Sequence, residues 1–184
     1  SIYAQRILGI KSPRVGLMNV GGEEAKGTAD LKFARDMLRD ADGIDFVGYV
    51  EGRGVFDGDA DVVVTDGVVG NVMIKLAEGL SAGIFKAIAT EVFEIDPELA
   101  MRFEPVVKSL YKKHDYHEYG GAPLLGVNGV CMIVHGSAVG RTITNAILRG
   151  REFVLSGVNL AITEALATVG QDAARNETGK EIET

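Results

Sequence analysis

The sequence has a single cysteine, Cys131, so it cannot build an internal disulfide framework. It is also short of positive charge: 19 lysines and arginines face 26 aspartates and glutamates, a formal net charge of -7. That balance argues against a nucleic-acid binder, which needs surplus cations to displace counterions from phosphates. The apolar runs at 62–64 and 130–134 are strand-length, far below the roughly 20 residues of a membrane span. The opening residues do not read as a basic-then-apolar leader, and a cytoplasmic location is the simplest expectation. The chain opens without an initiator methionine or an N-cap, as a segment from inside a longer protein would.

What is present is a soluble globular composition. Of 184 residues, 46% are hydrophobic and 24% charged, enough for one substantial core with room for a subdomain. The 24 glycines are nearly twice the usual share of about 7%. Without a repeat, they point to many tight strand-to-helix turns.

The order of patterns supports that. Residues 1–9 read as the end of a helix. Residues 15–20 form a near-continuous apolar run, typical of a strand buried on both faces. Gly27-Thr28 opens a helix reaching about Arg39, with Leu31, Ala34, Met37 and Leu38 at helical spacing. Strands are expected over 44–50 and 61–65, separated by a polar loop holding Glu51, Arg53 and Asp57. Long helices follow over 71–93 and 97–114, the second bent or interrupted at Pro105. A loop over 116–123, a buried strand over 130–135 and a final helix or pair over 142–169 complete the domain, 1–169. Residues 170–184 are charged and aperiodic and read as a disordered tail. Strand–helix alternation with short turns predicts an α/β fold, a three-layer α/β/α sandwich with a mostly parallel sheet. The two consecutive helices project as a hairpin over about 71–114.

Ligands in such sheets collect at the carboxyl ends of the strands. Three loops therefore carry the candidate chemistry. In Thr65-Asp66-Gly67-Val68-Val69-Gly70-Asn71, a glycine-bearing turn meets a helix N-terminus, which favours an anion. The alternative is a tight turn with Asn71 as helix cap. In Glu23-Glu24-Ala25-Lys26-Gly27, Lys26 offers a point charge to a phosphate, or pairs with its acidic neighbours in solvent. In His135-Gly136-Ser137, His135 is a weak proton-donor candidate and Ser137 a cap or phosphate ligand. Two anion-friendly loops on one sheet edge imply a shared site.

Four other patterns fail on context. Gly79-Leu80-Ser81-Ala82-Gly83 matches a nucleophile elbow but lies in a helical run, where small residues serve close helix packing. Asp57-Gly58-Asp59-Ala60-Asp61 lacks the turn glycine and closing glutamate of a calcium loop. His114 and His117 have no nearby cysteines, so zinc is not expected. Cys131, in an apolar strand, reads as a buried small hydrophobe.

Taken together, Val15-Gly16-Leu17-Met18-Asn19-Val20-Gly21, Glu23-Glu24-Ala25-Lys26-Gly27, the run from Asp61 to Val72, Tyr119-Gly120-Gly121-Ala122-Pro123-Leu124-Leu125-Gly126 and His135-Gly136-Ser137 resemble the PlsX family. These are the acyl-acyl-carrier-protein:phosphate acyltransferases of bacterial phospholipid synthesis. The resemblance covers about residues 3–166, in the family's order and spacing. It implies that inorganic phosphate attacks a fatty acyl thioester, giving acyl phosphate and free carrier protein. It also implies a homodimer, acyl carrier protein as partner and loose membrane association, with no cofactor or metal. Lys26 and Asn71 fall on the family's catalytic lysine and asparagine; Asp66, Gly67, Gly70, His135 and Ser137 are the expected phosphate-binding set. Two departures stand out. Family members carry a further N-terminal segment of comparable size, and Ala138 stands where they often have a second serine.

The residues suit that chemistry. Phosphate is anionic at neutral pH, and a cysteine-like thiol, with a pKa of about 8.5, leaves without strong acid help. What must be supplied is a phosphate cradle and donors aimed at the tetrahedral oxyanion. Arg102, Lys108, Lys112 and Lys113 on the second long helix could offer a basic patch to an acidic carrier protein, or be a solvated face. The rival enzymatic readings are a coenzyme A-dependent phosphate acyltransferase and an acetyl-phosphate-releasing reductase subunit. A rival of another class is a non-catalytic assembly or membrane-interaction module.

Overall fold

The computed structural model describes residues 1–113 and 120–167, with only the backbone described at 111–113. The chain falls into two compact units, residues 1–65 with the segment from Glu152 onward, and Asp66–Arg151.

The first unit is built on a parallel sheet. Strand β1 (Arg14–Met18) lies between β2 (Asp45–Val50) and β3 (Val62–Val64). Parallel neighbours require crossovers, and helices α2 (Ala29–Arg39) and α3 (Gly52–Asp57) supply them. Helix α1 (Ile2–Leu8) precedes the sheet. Thr28 starts α2 by accepting the Leu31 amide at 3.3 Å. The β1–β2 register slips once, so that Val15 faces Phe46 and Gly16 faces Gly48; the extra residue is accommodated by Gly48 at φ 96°. Central β1 carries the core, with Val15, Leu17 and Met18 buried beside Val50 and Ala4. The ring of Phe153, also buried, lies 6.3 Å from that of Tyr3. The Arg14 guanidinium ties the entry of β1 to that of β3, donating to both Asp61 carboxylate oxygens at 3.1 Å and to the carbonyls of Gly58 and Asp59.

The second unit holds the hairpin. Helix α4 (Gly67–Ile95) packs against α5 (Pro97–Lys113). Asp96 turns the chain between them, its carboxylate accepting the amides of Glu98 and Leu99, and Pro97 takes the first helical position. An apolar hollow of about 390 Å³ opens between Ala89, Val92 and Phe93 of α4 and Met101, Phe103 and Val107 of α5. Short strands β4 (Ala122–Pro123) and β5 (Met132–Ile133) pair antiparallel. Helix α6 (Gly140–Ser156) begins in this unit, and α7 (Val158–Ala167) follows it.

The expected α/β class, parallel sheet and helical pair are observed. Several details differ. Residues 52–57 are helical, not a polar loop. Helix α4 starts four residues before Asn71, and α5 runs through Pro105 without interruption. The run at 130–135 is a two-residue antiparallel strand and not a buried one: Val130 and Ile133 are exposed, and so is Cys131. Gly79 and Gly83 have no heavy atom within 4 Å of where a Cβ would stand, so among the described residues they serve no close helix packing. Their helix is also longer and more apolar than the strand-length runs led one to expect. α4 has 29 residues and an 18-residue window of mean hydropathy 1.4, none of it buried. By length and composition alone it could cross a membrane. His114, His117 and the tail expected over 170–184 lie outside the described residues.

Candidate active-site loops

The loop after β1 is where the sequence places Lys26, and the structure fixes it from several directions. Asn19, a polar residue closing an apolar strand, is only 5% exposed. Its side chain accepts the Val20 amide at 2.9 Å and donates to the Lys26 carbonyl at 3.3 Å. Gly27 crosses directly above it at φ 93°; a Cβ there would lie 2.8 Å from Asn19 Oδ1. The Gly22 amide donates to Glu51 Oε1 at 3.2 Å, at the start of α3. From α2, Arg35 donates to the Glu24 carbonyl at 3.1 Å and Arg39 to the Glu24 carboxylate at 2.7 Å. Buried amide, ion pair and backbone bonds together hold this loop at the carboxyl end of the central strand.

Within that frame the Lys26 ammonium lies 2.7 Å from Glu23 Oε1 and its side chain is half exposed. Both side chains fold over Gly21. A Cβ at position 21 would fall 2.7 Å from Lys26 Cδ and 2.9 Å from its Nζ. The hydrogen bond to Glu23, followed by the charges of Glu23 and Glu51, raises the Lys26 pKa above its ordinary value. The same bond lowers that of Glu23. Lys26 is therefore a cation throughout the neutral range, and it is paired.

The second candidate loop is the start of α4. Asp66 is its N-cap: one carboxylate oxygen accepts the Val68 and Val69 amides, both at 2.9 Å, and the Asp66 carbonyl accepts the Gly70 amide at 3.0 Å. A helix N-terminus favours an anion, and here the anion is the protein's own. The cradle expected of the Gly67–Gly70 backbone is thus occupied by Asp66, which acts as a cap. Asn71 is the fifth residue of α4 and exposed, so it is not the cap; its side-chain amide remains as the polar group of this loop.

The third loop follows β5. The Ser137 amide donates to His135 Nδ1 at 3.2 Å, and Ser137 Oγ lies 2.7 Å from the same nitrogen. A backbone N–H can only donate, so Nδ1 is the acceptor and a neutral ring carries its proton on Nε2. The Ser137 hydroxyl hydrogen then points to the histidine as well. This pair locks its own turn, closed by the Ala138 amide on the His135 carbonyl at 2.9 Å. Two glycines of the Tyr119-to-Gly126 motif, Gly120 and Gly121, are explained by packing, whereas Gly126 is explained by its backbone, at φ 81°. A Cβ on Gly120, at φ 81°, would meet the backbone of Asn145 at 2.6 Å, and one on Gly121 would meet the Ile133 carbonyl oxygen at 2.5 Å.

Asn19, Gly21 and Glu51 are contributors to which loop-by-loop reading assigned no role, whereas the pairing of Lys26 with an acidic neighbour, one of its two expected readings, is observed with Glu23. One signal was available: an asparagine ending an otherwise apolar strand implies a buried amide with assigned partners. Lys108 is paired with Glu104 at 2.6 Å, which weakens the basic patch; Arg102 is exposed. Among the described residues no cluster of metal-ligating side chains occurs.

Comparison with known proteins places this frame. The profile of the family described as "Fatty acid synthesis protein" matches residues 1–161. A protein of Desulforamulus reducens named "Phosphate acyltransferase" is 46% identical over 167 residues, 90% of this chain and 50% of that protein. Proteins of the same name from Geobacter sulfurreducens and Pelotomaculum thermopropionicum are 42% and 41% identical, covering 91% and 99% of this chain and 49% and 54% of theirs. The chain thus spans about half the length of the curated relatives it matches. On the profile match and these identities, the chain belongs to the fatty acid synthesis protein family.

Proposed function

We propose that this chain is the part of a phosphate acyltransferase that brings inorganic phosphate to a fatty acyl thioester carried by acyl carrier protein. A phosphate oxygen forms the new bond to the thioester carbonyl carbon, and the carbon–sulfur bond breaks from the tetrahedral intermediate. Acyl phosphate and the carrier thiol result. The observation that carries this reading is Lys26, a cation fixed at the carboxyl end of β1 by Asn19, Gly21 and Glu23 in a chain whose relatives bear that name.

Phosphate needs positioning more than deprotonation, and Lys26 supplies the charge for it. Asn71 donates its side-chain amide to the phosphate or to the developing oxyanion. Asp66, Gly67 and Gly70 shape the helix start that presents Asn71, and His135 with Ser137 shapes a further loop. Loss of an oxyanion donor costs roughly 10²–10³ in turnover, so Asn71→Ala is expected to fall in that range while remaining folded. Unchanged turnover would refute its role.

The partners follow from the same reading. The unburied apolar length of α4, with bare Gly79 and Gly83, supports a homodimer through the hairpin, and the exposed Phe93 and Ile95 at its end support loose contact with a membrane surface in the cytoplasm. The deciding assay incubates intact protein with long-chain acyl carrier protein and phosphate and measures acyl phosphate. Product from acyl-coenzyme A alone would favour the coenzyme A-dependent alternative; no product from either would leave a non-catalytic module.

A further inference from the structure

We propose that Glu23 is a positioning residue for phosphate, a built-in anion that holds the Lys26 ammonium over Gly21 and that an incoming phosphate oxygen must replace. The proposal rests on the assignment of Lys26 to phosphate.

The geometry assigns Glu23 this part by elimination. Lys26 faces two carboxylates, Glu23 at 2.7 Å and, through longer-range charge, Glu51. With Arg53 paired to Glu51 the local charges balance, so an incoming anion gains the Lys26 charge only by displacing the carboxylate that already holds it. Glu51 is committed elsewhere: it accepts the Gly22 amide at 3.2 Å and pairs with Arg53 at 3.5 Å. Glu23 is held through Lys26 and its own backbone amide, with a side chain 63% exposed. It can therefore swing into solvent while the loop stays fixed by Asn19, Glu51, Arg35 and Arg39. Gly21 makes the arrangement possible, since a Cβ there would stand 2.5 Å from Glu23 Oε2 as well as against Lys26. Those contacts are with the tips of flexible side chains, so an added methyl displaces the ion pair without unfolding the strand.

The test is phosphate kinetics of the intact protein with acyl carrier protein thioester, for Glu23→Gln, Lys26→Met and Gly21→Ala, alongside calorimetric binding of inorganic phosphate alone. Glutamine keeps an acceptor for Lys26 but removes the competing charge. Phosphate KM and the calorimetric Kd are then expected to fall ~5-fold, with the change on KM rather than kcat. Gly21→Ala is expected to raise KM at an unchanged unfolding midpoint. If Lys26→Met raises KM while Glu23→Gln leaves it unchanged or raises it, the Glu23 proposal is overturned and the Lys26 assignment stands. If Lys26→Met leaves KM unchanged, the assignment of Lys26 fails and Glu23 with it.

Discussion

Asn19 offers a sharp perturbation because its two roles, in folding and in placing Lys26, can be measured separately. Replacing it by alanine deletes the acceptor of the Val20 amide and the donor to the Lys26 carbonyl. A hydrogen bond contributes about 1 kcal/mol net, and a buried group left unpaired costs about 1–3 kcal/mol. Asn19 is 5% exposed, but Val20 is 83% exposed and Lys26 is exposed too, so water can reach both groups left behind and the cost is that of the two lost bonds. The sum is about 2 kcal/mol of destabilisation. With a urea m-value of roughly 2 kcal/mol/M, the unfolding midpoint should fall by about 1 M. Phosphate KM should rise in the protein that remains folded, because the Lys26 backbone has lost its anchor. Asn19→Asp should be no better: a carboxylate still accepts from Val20 but cannot donate to a carbonyl. Chemical denaturation and steady-state kinetics on one preparation check both effects. An unchanged midpoint, or a lower midpoint with an unchanged phosphate KM, would refute the reasoning that Asn19 ties the strand to the loop.

Two further substitutions test the frame around the site. Asp61→Asn removes the carboxylate clasped by Arg14, whose hydrogen bond holds the Asp61 pKa below its ordinary 3.8. A depressed carboxylate pKa stabilises the fold above the unfolded value and loses that effect as pH falls through the folded value. The variant should therefore melt below wild type at neutral pH, with the gap closing on acidification below about pH 4; a gap that widens there would contradict the clasp. Tyr49→Phe deletes a buried hydroxyl that has no hydrogen-bond partner among the described residues, and is expected to raise stability by about 1 kcal/mol in urea unfolding.

Much of this architecture was legible from periodicity. The apolar run containing Val15 and Leu17 reports burial that local sequence carries directly, and the helical spacing of Leu31, Ala34 and Leu38 marks the half-buried side of α2, from which Met37 departs by being exposed. The start of α4 was misplaced because a glycine-rich stretch reads as a turn, while Asp66 caps it and lets Gly67 and Gly70 enter the helix. The run at 130–135 has the composition of a buried strand, but apolar composition does not reveal whether a partner covers it. At the site, Lys26 and Asn71 were visible as residue types in suggestive loops. The partners of the Asn19 amide, the Gly21 floor and the Glu51 contact were not: the Asn19 and Glu51 bonds join residues 7 and 29 positions apart, and the crowding over Gly21 depends on how the Glu23 and Lys26 side chains fold back.

Whether Lys26 and Asn71 act on the same bound phosphate is decided by a double-mutant cycle on kcat/KM for phosphate, using Lys26→Met, Asn71→Ala and the pair. Residues that serve one transition state lose their combined effect together, so the double variant should be little worse than the poorer single one. Losses that simply multiply would mean that the two side chains work independently, and the shared phosphate site would be wrong.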